Sequence, residues 1–229
     1  MKNYSIAIDG PAGAGKSTVA KKVAQILNFI YIDTGAMYRT IGYYCLHNNI
    51  DVDTEEDVNN NLDAIDIKIK FVEGMQRIFL NEVDITDLIR TQEVGEAASK
   101  VSVYKEVRTR LVSMQQEIAK KENVVMDGRD IGTVVLPNAT LKIFLTASSL
   151  ERAKRRCKEL EEKGIVADLE ITRREIEERD YRDSHRENSP LKQADDAILI
   201  DSSNMTIEEE IDNIINLYKK RLENEENDK

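Results

Sequence analysis

The stretch from Gly10 to Ser17, Gly-Pro-Ala-Gly-Ala-Gly-Lys-Ser, constrains the fold more than any other part of this chain. It fits the pattern of a phosphate-binding loop, a glycine followed by four residues and then by Gly-Lys-Ser. Glycines let the backbone turn so that successive N–H groups face one phosphate chain. The helix that follows directs its positive N-terminal end at the same anion. The pattern therefore predicts a strand, this loop and a helix around a bound phosphate.

The residues on either side of the loop supply the predicted context. Residues 4–9 indicate a short buried strand. The apolar residues behind the loop recur at helical spacing, namely Val19, Ala20, Val23, Ala24 and Leu27. The competing interpretation is a glycine-rich turn without a ligand. Lys16 and Ser17 follow the last glycine in the required order, which argues against that interpretation.

Composition excludes several classes of protein. With 41% hydrophobic and 33% charged residues over 229 positions, the chain suits a globular protein with a sizeable core. A net charge of -10 argues against a general binder of nucleic acid or membrane surfaces. No apolar run is long enough for a membrane span, and the N-terminus does not read as a signal peptide. Cys45 and Cys157 have no CxxC spacing, so we expect buried free thiols and a cytoplasmic location.

A second strand, residues 30–33, leads into Asp-Thr-Gly-Ala-Met-Tyr-Arg, residues 33–39. Thr34 is a candidate N-cap for the helix that begins there. Arg39 lies in the first turns of that helix, where the helix dipole disfavours a cation. This placement suggests an anion nearby, and a solvated surface arginine is the alternative.

Residues 62–100 change the pattern and are predicted to form an insert. Ile65, Ile67, Ile69 and Phe71 alternate with polar residues, as in a half-buried strand. Glu73-Gly74 is a predicted turn, and residues 77–80 and 83–85 are further short strands. We expect a small antiparallel meander followed by a helical piece, set into an otherwise parallel protein.

Residues 123–127 are an apolar strand that ends in Asp127, which resembles the aspartate that helps hold Mg²⁺ in phosphate-loop enzymes. Arg129 and Asp130 follow at the same strand end. Residues 141–145 and 197–201 indicate two more core strands. Open α/β sheets bind ligands at the carboxyl ends of their strands, so these charged residues are candidates for the site.

Arginines concentrate between residues 151 and 186, where eight of the chain's fifteen lie. Two predicted helices carry them on either side of a short connection that contains Gly164. Most are expected to pair with acids on helix surfaces. A minority suit a lid over a nucleotide, at about residues 158–172, because arginine forks bind phosphates in a bidentate manner.

The motifs together resemble those of the bacterial cytidylate kinases. They are the loop at 8–17, residues 33–39, Ile89-Arg-Thr-Gln-Glu-Val94 with Ala97-Ala-Ser99, Val107-Arg108, Asp127-Gly-Arg-Asp-Ile-Gly-Thr133, the Glu178-Arg-Asp-x-x-Asp-x-x-Arg186 spacing and Pro190-Leu191. The resemblance is collinear and covers nearly the whole chain.

That resemblance implies an α/β nucleoside monophosphate kinase fold: a five-stranded parallel sheet flanked by helices, an inserted antiparallel β acceptor-binding domain and a short lid. Residues 1–61 and 101–229 would be the kinase core and residues 62–100 the inserted domain. The implied reaction moves a phosphoryl group from ATP to CMP or dCMP with Mg²⁺, in a protein that we expect to be monomeric. Thr34 departs from members that carry serine there, which keeps the hydroxyl but bears on the choice between ribose and deoxyribose.

The resemblance also assigns the site residue by residue. The cytosine is expected near Ser99, Arg108 and Asp130, the sugar near Thr34, Arg179 and Asp183, and the phosphates near Arg39, Arg129 and Arg186. The ATP contacts are expected at Gly10, Pro11, Ala12, Gly13, Ala14, Gly15, Lys16, Ser17, Thr18 and Arg155. Ser17 and Asp127 would hold the metal, and Lys16, Arg129, Arg179 and Arg186 would stabilise the transferring group. Asp130 has a second interpretation, in which it only pairs with a neighbouring arginine such as Arg129.

Three alternatives stay open at this point. One is a kinase for another small acceptor, such as UMP or a metabolite hydroxyl. Another is a GTPase or regulatory switch, although the chain has no Asn-Lys-x-Asp guanine signature. The third is a nucleotide-binding module without catalysis, against which Lys16, Ser17 and Asp127 argue.

Overall fold

The computed structural model describes residues 3–72, 75–162 and 164–227, so the predicted Glu73-Gly74 turn lies outside the described residues. The strands are β1 (Ser5–Asp9), β2 (Ile30–Asp33), β3 (Ile67–Val72), β4 (Met75–Leu80), β5 (Val83–Asp84), β6 (Val124–Gly128), β7 (Leu141–Thr146) and β8 (Ile198–Asp201). The α-helices are α1 (Lys16–Leu27), α2 (Thr34–His47), α3 (Glu55–Asn61), α4 (Gln92–Val101), α5 (Lys105–Ala119), α6 (Ser149–Glu162), α7 (Leu169–His185) and α8 (Ile207–Asn227). Ile131–Val135 forms a π-helical turn, and short 3₁₀ turns occur at Leu62–Ala64 and Leu88–Arg90.

Within the described ranges, one sheet holds five strands in the order β2-β6-β1-β7-β8, and every pairing in it is parallel. The register places Asp33 beside Asp127 and Asp9 beside Gly128. The acidic ends of β1, β2 and β6 therefore meet at one edge, where β1 leads into the phosphate-binding loop. The predicted five-stranded parallel sheet is confirmed.

Helices cover both faces of this sheet, which is why its strands are apolar on successive residues. Ile6, Ile8 and Ile143 pack with residues of α1 and α8, while Ala7 and Met126 pack with the π-helical turn and α5. Each of these five side chains is at most 1% exposed. The sheet is thus a rigid base for the loops at its carboxyl edge.

A second, antiparallel sheet in the order β3-β4-β5 confirms the predicted meander. It shares a core with α2 and α5. Helix α4 lies against α2 so closely that a Cβ on Gly42 would be 2.8 Å from the Ala98 backbone nitrogen. Helix α4 belongs almost wholly to the predicted insert, and α2 belongs to the predicted core. Because these two helices pack together, the insert boundaries at 62 and 100 stay a prediction.

One local prediction, the N-cap of α2, turned out differently. Asp33, rather than Thr34, is the N-cap of α2, and its side chain accepts a hydrogen bond from the Ala36 N–H at 2.9 Å. Thr34 is already the first helical residue. Both types favour N-caps, and here the earlier one occupies the position.

The arginine-rich segment has the predicted form of two helices, α6 and α7, joined by a short connection. Gly164 there has a φ of +75°, and the neighbouring Val166 is 98% exposed. Cys45 and Cys157 are buried free thiols, as predicted. Across the described helices, none combines the length and apolarity that crossing a membrane requires.

Candidate active site

The phosphate-binding loop is seated on the end of β7, and Gly10 shows why no other residue fits there. A Cβ on Gly10 would lie 1.9 Å from the carbonyl oxygen of Leu145, and the residue has a φ of +151°. Contact with backbone leaves no side chain to move aside. The first glycine of the motif therefore fixes the height of the loop above the sheet.

Lys16 begins α1 and is 5% exposed. Its Nζ donates a hydrogen bond to the Pro11 carbonyl at 2.7 Å, within its own loop. Burial lowers the pKa of Lys16, and the positive charge of Arg129 lowers it further. A buried ammonium beside a second cation is stabilised by an anion, which the loop is built to receive.

Asp127, at the end of β6, accepts two hydrogen bonds. Ser17 Oγ donates to its Oδ2 and the Tyr31 hydroxyl to its Oδ1, each at 2.8 Å. Burial, with the nearby charge of Asp33, raises the pKa of Asp127 to about 6. Tyr31 was not predicted, because nothing in its own strand indicates that it faces a carboxylate on the neighbouring one.

Ser17 and Asp127 together fit a magnesium ion, which prefers oxygen ligands. Among the described residues, no group of three His, Cys, Asp or Glu side chains could enclose a metal. A carboxylate and a hydroxyl suit a site that takes its remaining ligands from phosphate oxygens and water.

Across the cleft from the loop lie four arginines, which we call the acceptor cluster: Arg39, Arg129 and Arg186, predicted near the phosphates, and Arg179, predicted near the sugar. Two of them have close acids, Arg129 with Asp183 at 2.8 Å and Arg39 with Asp33 at 2.7 Å. Arg186 Nη2 is 3.6 Å from Asp130. The cluster is thus partly neutralised by acids from α7 and the sheet edge.

Arg179 differs from the other three members. Among the described residues it has no ion pair or hydrogen bond, and its Nε is buried. Burial and the charge of Arg129 lower the pKa of Arg179 to about 10. Buried atoms without partners also occur at Arg39 Nε and at Arg186 Nη2, which lies beyond hydrogen-bond distance of Asp130. Unsatisfied guanidinium groups facing one space are what an anion site requires.

Arg108 and Asp130 form an ion pair in which both side chains are less than 10% exposed. Arg108 also donates to the Ser102 carbonyl at 3.1 Å and lies over the ring of Tyr38. Asp130 does pair with an arginine, as its second interpretation expects, but the partner is Arg108 rather than Arg129, which bonds Asp183. Whether Asp130 also reads the base stays a prediction.

A cleft of about 830 Å³ brings the two sides together. Its lining includes Ala12 and Gly13 of the loop, and Arg39, Ser99, Arg179, Asp183 and Arg186 of the predicted acceptor site. The residues that line the cleft do not include Arg108, Arg129, Asp130 or Thr34. The Thr34 hydroxyl is engaged, since it donates to the Asp127 carbonyl at 2.7 Å.

The remaining arginines of α6 and α7 have different surroundings, with surface pairing to acids at Arg156 and Arg173, while the role of a minority in a lid stays a prediction. Arg155 donates to the Ser202 carbonyl at 2.8 Å and reaches the Ala14 carbonyl at 3.4 Å, on the outer side of the loop. Arg156 and Arg182 line the cleft. Arg173 pairs with Glu177 on the surface at 3.0 Å. The prediction of the site missed Arg152, which is buried under the loop and donates to the Ala12 carbonyl at 2.8 Å.

Asp9 was also missed as a site residue. Its two carboxylate oxygens accept from the Ile131 and Gly132 N–H groups, each at 2.7 Å. These bonds fix the start of the π-helical turn directly after Asp130. Burial nevertheless raises the pKa of Asp9 to about 6.

Comparison with known proteins adds to this geometry. Residues 6–220 match the family model described as cytidylate kinase. A cytidylate kinase of Caldicellulosiruptor bescii is 53% identical over 98% of this chain and 100% of its own length. One from Streptococcus pneumoniae is 52% identical over 97% of this chain and 100% of its own. A solved structure from Eubacterium ventriosum, of an uncharacterised protein, shares the fold with a TM-score of 0.55 at 15% identity, over 95% of this chain and 99% of that one.

Proposed function

The chain belongs to the cytidylate kinase family, and from this premise we propose that it transfers the γ-phosphoryl group of ATP to CMP and dCMP. The products are ADP and CDP or dCDP. The observation that carries the proposal is the cleft in which a phosphate-binding loop faces Arg179, a half-buried cation with a buried Nε and no ion-pair partner among the described residues. The loop suits the donor, and the unsatisfied arginine suits the acceptor phosphate.

On the donor side, the loop N–H groups and Lys16 bind the ATP phosphates. In the structure, Lys16 Nζ donates to the Pro11 carbonyl. It exchanges that bond for a phosphate oxygen when ATP enters. Phosphoryl transfer needs positioning and charge neutralisation more than covalent help from the protein. Lys16 supplies both at the oxygens around the breaking bond.

Ser17 and Asp127 would hold magnesium, which would neutralise charge on the donor phosphates. The Tyr31 hydroxyl fixes the orientation of the Asp127 carboxylate by bonding Oδ1. Ser17 Oγ bonds Oδ2 of the same carboxylate, so the hydroxyl and the carboxylate lie side by side. The two ligand side chains are therefore oriented before any nucleotide arrives.

On the acceptor side, the acceptor cluster binds the CMP phosphate and brings one of its oxygens in line with the γ-phosphorus. That oxygen is already anionic, so a strong general base is not needed. The cluster also spreads positive charge over the transferring group, where it stabilises the transition state more than the ground state. The segment between α6 and α7 closes over the cleft and excludes water, which suppresses hydrolysis of ATP.

The base is read by Ser99, Arg108 and Asp130. Asp130 Oδ2 is held by Arg108, while Oδ1 lies 3.6 Å from Arg186, beyond hydrogen-bond distance. Oδ1 can thus accept from the cytosine amino group. Uracil presents a carbonyl at that position, which the carboxylate repels. We therefore propose that the enzyme prefers CMP to UMP as the acceptor. We also propose that it is monomeric and located in the cytoplasm.

A coupled assay of ADP release over CMP, dCMP, UMP, AMP, GMP and shikimate tests this assignment. The expected result is turnover with CMP and dCMP, requiring Mg²⁺, and at most slow turnover with UMP. Preferred turnover of UMP or of a hydroxyl acceptor would show a different kinase. ATP hydrolysis or binding without transfer to any acceptor would show a switch or a non-catalytic module.

A further inference from the structure

Asp180 joins the helix that carries the acceptor residues to the donor loop. Its Oδ1 accepts from the Ala12 N–H at 3.2 Å, and its Oδ2 pairs with Arg152 at 2.6 Å. Arg152 in turn donates to the Ala12 carbonyl at 2.8 Å. Both polar groups of Ala12 are therefore held by side chains from α6 and α7. These contacts tie Ala12 of the loop to both helices.

The same helix presents its neighbours to the acceptor. Arg179 immediately precedes Asp180, and Asp183 lies one turn later and bonds Arg129. Both Arg179 and Asp183 line the cleft. Because α7 is one continuous helix, a shift of its backbone when an anion binds Arg179 is shared by Asp180.

The loop end of this connection reaches the lysine that acts on the donor. Ala12 follows Pro11, whose carbonyl oxygen accepts from Lys16 Nζ at 2.7 Å. Releasing Lys16 toward a phosphate requires that this peptide give up the bond. The position of the Pro11–Ala12 segment thus sets how readily Lys16 turns to ATP.

We propose that Asp180 is a positioning residue that couples acceptor binding to donor binding, by making the loop peptide at Ala12 follow α7. Binding of CMP raises the affinity for ATP, and by thermodynamic reciprocity ATP raises the affinity for CMP by the same factor. The inference rests on the proposed function, since it takes ATP and CMP as the two ligands. The competing interpretation is a static strut that shapes the loop for ATP whether or not CMP is present.

The test measures the binding of CMP by titration calorimetry, with and without a non-hydrolysable ATP analogue. In the wild type we expect the analogue to tighten CMP at least about fivefold, the lower end of typical coupling. In Asp180→Asn, an amide N–H₂ group replaces the acceptor that faces Arg152. The coupling factor should fall to near one while the affinity for CMP alone changes less than about twofold.

Glu177→Gln is the matched control. Glu177 lies three residues earlier on α7 and also joins α7 to α6, through Ser149 Oγ at 2.6 Å, without touching the loop. This variant should keep the wild-type coupling. Asp180→Ala, which removes both bonds, should lose coupling as Asp180→Asn does, and thermal melting checks that each variant is folded.

Three results overturn the proposal: a wild type without coupling, an Asp180→Asn protein that retains it, or equal loss of coupling in Glu177→Gln. If Asp180→Asn weakens the ATP analogue but keeps the coupling factor, Asp180 is a static strut. Failure of the proposed function is seen separately, as a wild type that transfers no phosphoryl group to CMP.

Discussion

The polar side chains on the two sides of the cleft differ in how fully their hydrogen bonds are satisfied. On the donor side, Lys16, Ser17 and Asp127 all have hydrogen-bond partners within the protein. On the acceptor side, Arg39, Arg179 and Arg186 each keep a buried nitrogen without a hydrogen-bond partner among the described residues. The donor side thus has its hydrogen bonds satisfied within the protein, and the acceptor side does not.

This difference has a thermodynamic consequence. A donor that enters the loop must exchange existing bonds, such as that of Lys16 to Pro11, so the net gain per bond is small. An anion that enters the acceptor cluster supplies partners that are missing, so it relieves a penalty that the unliganded protein carries. Removing a charge should therefore affect stability differently on the two sides, and the following predictions test this.

The largest effect is expected for Lys16→Ala. Without the ammonium, the donor phosphates lose the charge that neutralises them, and kcat should fall by about 10³-fold. The fold should survive, because the partner of Lys16 is a carbonyl rather than a buried acid. Measuring CDP formation and the circular dichroism spectrum checks both parts. Near wild-type turnover by a folded variant would contradict the assignment of the loop.

Asp130→Asn tests whether the buried Asp130 side chain selects cytosine over uracil on the acceptor side. An unsatisfied or mismatched buried group costs about 1–3 kcal/mol, and more when it is charged. We expect the ratio of kcat/KM for CMP over UMP to narrow by about 10²-fold. Since Arg108 loses its charged partner, melting should confirm that the variant is folded at the assay temperature. Ser99→Ala should narrow the same ratio more weakly. A ratio unchanged by Asp130→Asn would remove Asp130 from base reading.

Arg179→Met separates activity from stability. Loss of a charged bond to the acceptor phosphate should lower kcat/KM for CMP by roughly 10- to 100-fold. Replacing this half-buried, unpaired cation, whose Nε is buried, by an apolar side chain of similar length should raise the melting temperature measured without nucleotide. Arg174→Met, at an exposed position of the same helix, is the control and should change neither. A lower melting temperature for Arg179→Met would break the contrast between the two sides.

Asp127 gives the last prediction, which concerns a pH dependence of stability rather than activity. The pKa of its carboxyl is raised from 3.8 to about 6, so folding favours the protonated form. Its contribution to stability is fully present below pH 3.8 and is lost as the pH rises through about 6. The Asp127→Asn side chain does not titrate. Between pH 4 and 7, the melting temperature of the wild type should therefore fall relative to that of the variant. Each kcal/mol of lost unfolding free energy corresponds to about 2–4 °C. A pH-independent difference between the two proteins would exclude the raised pKa.

The sequence predicted those features that local patterns encode. The five parallel strands follow from apolar runs buried on both faces, and the loop follows from glycines and a lysine at fixed spacing. The sequence could not predict partners that only the fold brings together. Asp180 and Ala12 are 168 residues apart, and Tyr31 and Asp127 are 96 apart. Thr34 was predicted as the cap because it fits that role as well as Asp33 does, and the hydrogen bond to Ala36 decides between them.

The contact between α2 and α4 determines how this kinase could be recombined with its relatives. Exchanging only the antiparallel sheet, residues 67–84, leaves Gly42 and Ala98 with their native neighbours. A longer exchange that includes α4 must bring a helix whose small residues fit against Gly42, because even one methyl group there would meet backbone at 2.8 Å. In chimeric enzymes built to accept other substrates, Gly42 therefore limits where the two parent sequences can be joined, because it has no side chain to clash with α4.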